Sequence, residues 1–126
     1  MDGNIWLWIL QGFLALLFLG TGVLKLTRSR DEIIAQGLTW AEDYSEPALR
    51  ALGVAEVLGA AGLVLPPLVG LGIVTPIAAS LLTALTIGAV VVHVRRREFL
   101  PDVVRTMALI AMCATVAYCR FGPVAF

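Results

Sequence analysis

Residues 5–26 read IWLWILQGFLALLFLGTGVLKL, and this stretch decides the fold because Lys25 is its only charged side chain. A helix of this length rises roughly 33 Å at about 1.5 Å per residue, which is enough to cross the hydrocarbon core of a bilayer. Trp6 and Trp8 near its start are typical of the aromatic belt at a membrane surface. Residues 1–3 lack the basic start and the cleavage site of a secretory signal, so we predict a retained transmembrane helix.

The composition of the chain also indicates a protein that folds in lipid. Of its 126 residues, 60% are hydrophobic and only 14% are charged, and the mean hydropathy is +0.93. Soluble domains contain roughly 45–50% apolar and about 25% charged residues, and a fold of this size cannot bury so much apolar surface in water. The net charge of zero gives no indication of nucleic-acid binding. We therefore predict a single transmembrane domain over residues 1–126.

Three further apolar stretches follow the first and are separated by prolines and by charged residues. The second predicted helix is expected to stop at Pro66 and Pro67, and Pro76 is expected to kink or restart the third. These signals predict an all-α integral membrane protein, a four-transmembrane-helix bundle. The predicted helices cover about residues 5–26, 47–65, 68–94 and 103–119.

The segment at residues 27–47 breaks the apolar pattern by mixing charged side chains with large apolar ones. This mixture predicts a short amphipathic segment at the membrane interface between the first two helices. Three consecutive arginines, Arg95 to Arg97, end the third span and are expected to meet anionic lipid headgroups.

The basic residues predict the orientation of the chain in the membrane. Eight of the nine Lys and Arg residues lie in the two polar connections at residues 27–47 and 95–102 or on their flanks, and Arg120 alone lies on the other side. By the positive-inside rule, both connections are predicted to be cytoplasmic and both termini to lie outside. The predicted location is the cell membrane, with a multi-pass topology.

One acidic residue, Glu56, lies inside the second predicted span, in its cytoplasmic half. A charge at the centre of a transmembrane helix costs about 2.5–3.5 kcal/mol on insertion scales, so it normally faces the protein interior and has a partner. The expected partner is Lys25, which enters the same half of the bilayer from the first helix. His93 ends the third span at a similar depth, and we expect it either at the interface or beside this pair.

Two interpretations of the Lys25 and Glu56 pair follow from the residues alone, and both stay open. The pair is a structural contact that fixes the register of two helices, or it is the polar end of a ligand cavity, with His93 as the third ligand-binding residue. In the second case Glu56 would face the ligand or exchange protons with it. Glu56 is therefore the one candidate for a catalytic residue.

The sequence contains no His/Cys cluster with metal-binding spacing, so no metal site is predicted. Cys113 and Cys119 are six residues apart, which is a rise of roughly 9 Å along a helix and exceeds the roughly 7 Å that a disulfide can bridge. We expect both cysteines to be free, packed thiols.

Three stretches carry a family resemblance: LALLFLGTGVLKL at residues 14–26, ALGVAEVLGAAGLVLP at 51–66 and GAVVVHVRRREF at 88–99. Together they resemble the DoxX and DoxX-like family of small four-helix membrane proteins. The shared features are G-x-x-K-L at the end of the first helix, G-x-x-E followed by small residues and a proline in the second, and a histidine with basic residues ending the third. The matching residues are Gly22, Lys25, Leu26, Gly53, Glu56, Gly59, Pro66, His93, Arg95 and Arg96.

The resemblance implies a component of a membrane redox or quinone-linked system. The cluster of ionisable groups at one depth predicts that it binds a lipid-soluble small molecule near Lys25 and Glu56. A quinone is the one cofactor that it suggests, and any enzymatic role would be that of an oxidoreductase-associated subunit. The implied partners are the lipid bilayer, membrane or peripheral redox proteins, and further copies of the chain. Two alternatives stay open: a non-enzymatic membrane scaffold or assembly factor, and a small membrane isomerase or hydrolase with Glu56 as its base.

Overall fold

The computed structural model describes residues 2–126 and confirms an all-α bundle, without strands in the described part of the chain. A short α-helix and a 3-10 turn at Thr39–Asp43 connect the first two long helices, and a π-helical turn at Phe99–Val103 leads into the last one. The α-helices are α1 (Asp2–Thr27), α2 (Arg30–Ala35), α3 (Glu46–Leu68), α4 (Val74–Arg95) and α5 (Val104–Phe121).

The four long helices are each long and apolar enough to cross a membrane, and the outer surface of the bundle agrees with that role. Large apolar side chains point outward along its length, including Trp6 at 71% exposed, Leu16 at 73% and Leu58 at 64%. Such a surface is stable in hydrocarbon and unstable in water. The protein is therefore a multi-pass membrane protein.

The helices pack in the order α1, α3, α4, α5, and α5 returns to α1. The core between them contains Leu14, Leu63, Leu82 and Val116, all fully buried. Because the helices alternate in direction, one end of the bundle carries the connections at 28–45 and 96–103, and we call it the loop end. The other end carries the turn at 69–73 and the last residues, and we call it the terminal end.

The boundary between the second and third spans differs from the prediction. Helix α3 continues through Pro66 and Pro67 to Leu68 instead of stopping at residue 65, and α4 begins at Val74 instead of residue 68. Pro76 lies in the first turn of α4, where a missing N–H leaves no bond unmade, so it restarts the helix without a kink.

The double proline is tolerated because other side chains bind the carbonyl groups that it leaves free. A proline has no N–H to donate to the carbonyl four residues earlier, which affects the carbonyls of Gly62 and Leu63. Thr75 donates its hydroxyl to the Gly62 oxygen at 3.1 Å, and the amide of Gln11 donates to the Leu63 oxygen at 2.6 Å. Inside a membrane such substitute donors are what allow prolines in a helix.

Helices α1 and α3 approach closely where two glycines face each other. A β-carbon added to Gly22 would lie 2.9 Å from the Gly53 carbonyl oxygen and 2.8 Å from a methyl group of Val57. Two backbones can therefore touch only because both residues lack side chains, which is a common device in membrane helix packing.

We predict that Gly22→Ala lowers the free energy of unfolding by about 1–3 kcal/mol, because the added methyl group overpacks the contact between α1 and α3. The measurement is unfolding of the purified protein in mixed micelles with increasing denaturing detergent. Gly20→Ala is the matched control, since a β-carbon there meets no atom within 4 Å. Equal loss of stability in the two variants would contradict the proposed close packing.

Candidate functional site

The charged pair predicted inside the membrane is present near the loop end of the bundle. The ammonium group of Lys25 on α1 lies 3.0 Å from Oε1 and 3.2 Å from Oε2 of Glu56 on α3. Lys25 is 6% exposed and Glu56 is 9% exposed. The contact therefore neutralises two charges that neither helix could hold in lipid alone.

A third side chain completes the bonding of the Glu56 carboxylate. The hydroxyl of Thr21, one turn before Lys25 on α1, donates to Oε1 of Glu56 at 3.0 Å. Oε1 thus accepts two hydrogen bonds, whereas Oε2 accepts one, from Lys25. Charge-assisted bonds of this kind are stronger than bonds between neutral groups, so three side chains connect α1 to α3 at this depth.

Lys25 is positioned from two further directions. Its ammonium lies 5.1 Å from the centre of the Trp40 ring, within range of a cation–π contact. Arg50 on α3 donates hydrogen bonds from its guanidinium to the backbone carbonyls of Lys25 and Arg28. At the end of a helix such carbonyls have no backbone N–H of a following turn to bind them. Arg50 therefore caps the end of α1.

A cavity of about 140 Å³ lies beside the pair, and the three residues predicted from the sequence all line it. Lys25 comes from α1, Glu56 from α3 and His93 from α4, while Trp40 and Tyr44 of the connecting segment line it too. A second cavity of about 120 Å³ also borders the pair. The structure thus brings Lys25, Glu56 and His93 together around one space.

His93 binds Glu98, a partner that the sequence pattern does not indicate. The imidazole is 8% exposed, and its Nδ1 donates to Oε1 of Glu98 at 2.9 Å. This bond occupies one ring nitrogen and leaves Nε2 without a hydrogen bond to any described residue. Glu98 lies in the polar connection after α4, and only a return of the chain at Arg97, with φ of 59°, brings it back to His93.

Arg96 joins the two polar connections of the loop end, which corrects the expectation that it meets lipid. Its guanidinium binds Glu42 at 3.0 Å, Asp43 at 3.0 Å and Glu98 at 3.0 Å. These carboxylates raise the pKa of Arg96 further above its ordinary value, with Glu98 contributing most. Arg96 therefore holds the 39–43 turn against the end of α4.

The segment at 28–45 is the short amphipathic connection predicted between the first two helices, and it folds over the loop end. Ile33, Ala41 and Leu49 form a small buried cluster beneath Trp40 and Tyr44. Burial, together with the charges of nearby carboxylates, raises the pKa of Tyr44, so its phenol stays a hydrogen-bond donor at neutral pH. The segment forms the outer wall of the 140 Å³ cavity.

Three ligand-type side chains meet at the loop end, although the sequence predicted no metal site. Donor atoms of His93, Glu98 and Asp102 lie within 4.8 Å of one another. Both carboxylates already bind arginines, Glu98 with Arg96 at 3.0 Å and Asp102 with Arg105 at 2.7 Å. Arg96 and Arg105 therefore supply positive charge to these two carboxylates.

The two cysteines are free thiols in the structure, as expected from their spacing. Cys113 is buried and Cys119 is partly buried. Cys113 belongs to the hydrophobic core between the helices, so it contributes packing in the way a small apolar side chain does.

Comparison with known proteins places this architecture in a family. A model of the DoxX-like family matches residues 9–116. The chain belongs to the DoxX-like family. The part of this DoxX-like chain that matches contains Lys25, Glu56 and His93, and it ends before Arg120. No curated protein and no solved structure matches the chain.

We predict that Arg96→Met opens the loop end of the DoxX-like bundle, because two carboxylates of the 39–43 turn and Glu98 lose their shared cation. The measurement is hydrogen exchange of the backbone amides at 39–44, which should become at least about tenfold faster. Arg95→Met is the matched control, since Arg95 is exposed and forms no ion pair with a described residue. Unchanged exchange in Arg96→Met would contradict the role of Arg96 in holding the 39–43 turn against α4.

Glu98, which binds both His93 and Arg96, gives a prediction about the dependence of stability on pH. The hydrogen bond from His93, and after it the contact with Arg96, lowers the pKa of Glu98. A lowered pKa means that the stabilisation is complete above the ordinary pKa of glutamate and is lost as the pH falls through the lowered value. We expect the difference in melting temperature between the wild type and Glu98→Gln to persist from about pH 7 to about pH 5 and to shrink below that range. A difference that disappears already above pH 5 would contradict this assignment.

Proposed function

We propose that this DoxX-like protein binds a lipid-soluble molecule with a polar ring, of the quinone class, as a component of a membrane redox system. One observation carries the proposal: ionisable side chains from three different helices, Lys25, Glu56 and His93, line the same cavity. Binding sites for small molecules typically combine apolar walls with a few convergent polar groups. The remaining wall includes Leu52, Leu85 and Val92 among its apolar members.

The polar groups suit the carbonyl oxygens of a quinone, which accept hydrogen bonds. The ammonium of Lys25 has three N–H donors and directs bonds to both oxygens of one carboxylate, which leaves a donor for a ligand. Tyr44 offers its phenol as a second donor. Nε2 of His93 is the acceptor of an imidazole whose Nδ1 donates to Glu98, so it suits a hydroxyl of the reduced quinol. The Trp40 ring borders the same space and provides an aromatic face for stacking.

The size of the cavity favours a single six-membered ring as the bound part. An apolar cavity of about 150 Å³ in another protein is large enough to hold benzene, and the cavity here measures about 140 Å³. The second cavity shares Leu85 and Ala89 with the first and gives additional room on the far side of the pair. A longer tail on the ring would extend into the bilayer.

The proposed redox role divides the work between this chain and a partner. Reduction of a quinone takes up two electrons, which come from a partner redox protein, and two protons, which come from water. The bundle holds the quinone ring and presents hydrogen-bond donors to its oxygens. Glu56 acts by holding the ammonium of Lys25 in place, so it is a positioning residue in this proposal.

We also propose the orientation that the positive-inside rule indicates. The loop end carries eight of the nine basic residues, whereas the terminal end carries Arg120. With the loop end in the cytoplasm, the quinone site lies in the cytoplasmic half of the bilayer. The partner that supplies electrons would then act from the cytoplasmic side.

A second candidate function, a membrane scaffold, is favoured by a different surface. A groove of about 520 Å³ runs between α1 and α3 on the outside of the bundle, and small residues such as Gly12, Ala15 and Ala61 line it. Grooves of this kind accept a transmembrane helix of a partner at close distance. Ala61→Leu, which fills the groove, would release such a partner and leave the quinone site intact.

The test of the quinone proposal is retention of a single-ring quinone by the protein purified in mild detergent, measured by native mass spectrometry. We predict that Ala89→Leu lowers the affinity at least about tenfold, because Ala89 lines both cavities. Ala84→Leu, on the exposed side of the same helix, is the matched control. Glu56→Gln should also weaken binding, whereas Glu46→Gln, on the surface of α3, should not.

These variants separate the two candidate functions. Wild-type quinone affinity in Ala89→Leu would overturn the quinone site, whatever happens to Glu56→Gln. Loss of a partner protein in Ala61→Leu, together with no quinone binding in any variant, would support the scaffold instead.

A further inference from the structure

The terminal end of the bundle contains a buried cation, Arg120, whose position in the sequence indicates only a single basic residue at the end of a span. Arg120, in the last turn of α5, is 2% exposed. Its Nε donates to Gln11 at 2.8 Å, and one of its amino groups, Nη1, donates to Asn4 and to the carbonyl of Val124, both at 2.8 Å. All three acceptors are neutral, so none of them compensates the positive charge.

The other amino group of Arg120, Nη2, is buried and has no hydrogen-bond partner among the described residues. Arg120 also forms no ion pair with a described carboxylate. A buried, ionised group with donors left unsatisfied is costly, and proteins normally supply an acceptor or a counter-ion. The site therefore has unused capacity for a negatively charged oxygen.

Two aromatic rings lie close to the Arg120 guanidinium. The Phe126 ring centre lies 3.8 Å from its central carbon, and the Trp8 ring centre lies 5.9 Å away. The two rings also contact each other, with centres 5.5 Å apart. Such cation–π contacts stabilise the charge without using its N–H donors, so Nη2 still lacks an acceptor.

Arg120 and Phe126 line a cavity of about 480 Å³ at the terminal end. The other wall is the turn between α3 and α4, where Gly72 lies so close to Phe126 that a β-carbon would approach it to 2.7 Å. The neighbouring Leu71 and Ile73 are 56% and 60% exposed. The cavity is thus large enough for a small headgroup and has an apolar rim.

We propose that this cavity binds the phosphate group of an anionic phospholipid, with Arg120 as its anchor. Arginine donates strong charge-assisted hydrogen bonds to phosphate oxygens, and Nη2 has no hydrogen-bond partner among the described residues. A rotation of the Phe126 side chain, which is 49% exposed, opens Nη2 to the cavity. The acyl chains lie along the apolar rim. The lipid supplies the negative charge that the described part of the chain does not give to Arg120.

The test is lipid binding by native mass spectrometry, with phosphatidylglycerol and phosphatidylcholine of the same acyl chains added to the full-length protein in neutral detergent. We expect the wild type to bind phosphatidylglycerol at least about tenfold more tightly than phosphatidylcholine, and Arg120→Gln to lose that preference. Arg105→Gln, the same substitution at the other end of α5, should bind as the wild type does. Equal affinity of Arg120→Gln and the wild type for phosphatidylglycerol would overturn the proposal.

Three further measurements keep the outcome decisive. Ala125→Trp fills the cavity without altering Arg120, so we expect this variant to lose phosphatidylglycerol binding while its melting temperature stays unchanged. Undiminished binding in this variant would overturn the proposal, even if Arg120→Gln does not fold. Inorganic phosphate that displaces the lipid at equal concentration would identify a free ion as the ligand and reject the lipid.

The side chain of Asp2 lies outside the described part of the chain. Tenfold tighter lipid binding in Asp2→Asn would make Asp2 the counter-ion and would also overturn the proposal.

Discussion

The hydrocarbon of a bilayer offers no hydrogen-bond partner, so every polar group within it must be bonded by the protein itself. This constraint explains the polar contacts inside the bundle one by one. The carbonyls freed by Pro66 and Pro67 are bonded by Thr75 and Gln11. The carboxylate of Glu56 is bonded by Lys25 and Thr21. These contacts link helices that apolar packing alone would leave free to slide or rotate.

The same constraint gives the two ends of the bundle different chemistry. At the loop end, Lys25 and Glu56 neutralise each other, and further carboxylates and arginines close a network around the cavity. At the terminal end, Gln11 uses its two functional groups in opposite directions, donating to Leu63 and accepting from Arg120. The charge of Arg120 is therefore connected to the proline region of α3 through a single amide. One end is balanced internally, whereas the other has a surplus of positive charge among its described residues.

Much of the fold and of the loop-end site could be predicted because the relevant signals are local. Four long apolar stretches predict four helices, and the depth of Lys25 and Glu56 predicts their contact between antiparallel neighbours. The predicted helix ends were less accurate. Ending a helix at a proline assumes that no other donor replaces the missing N–H, whereas the replacement donors here come from other helices. The partners of His93 and Arg96 depend on how two polar connections fold over the bundle, and no periodic pattern records that. Arg120 was missed for a related reason, since its position near the end of a span is typical of an interfacial residue.

The pair of Lys25 and Glu56 joins residues that are 31 positions apart, so synthesis completes α1 well before the carboxylate of α3 exists. A lysine near the end of a helix can extend its ammonium group to the headgroups while its stem stays in hydrocarbon. An isolated α1 could therefore keep Lys25 charged at the headgroups. In the folded bundle the ammonium lies against Glu56 instead, on the same pair of helices where Gly22 meets Gly53. Docking of α3 thus replaces water and headgroups by one carboxylate as the partner of this charge.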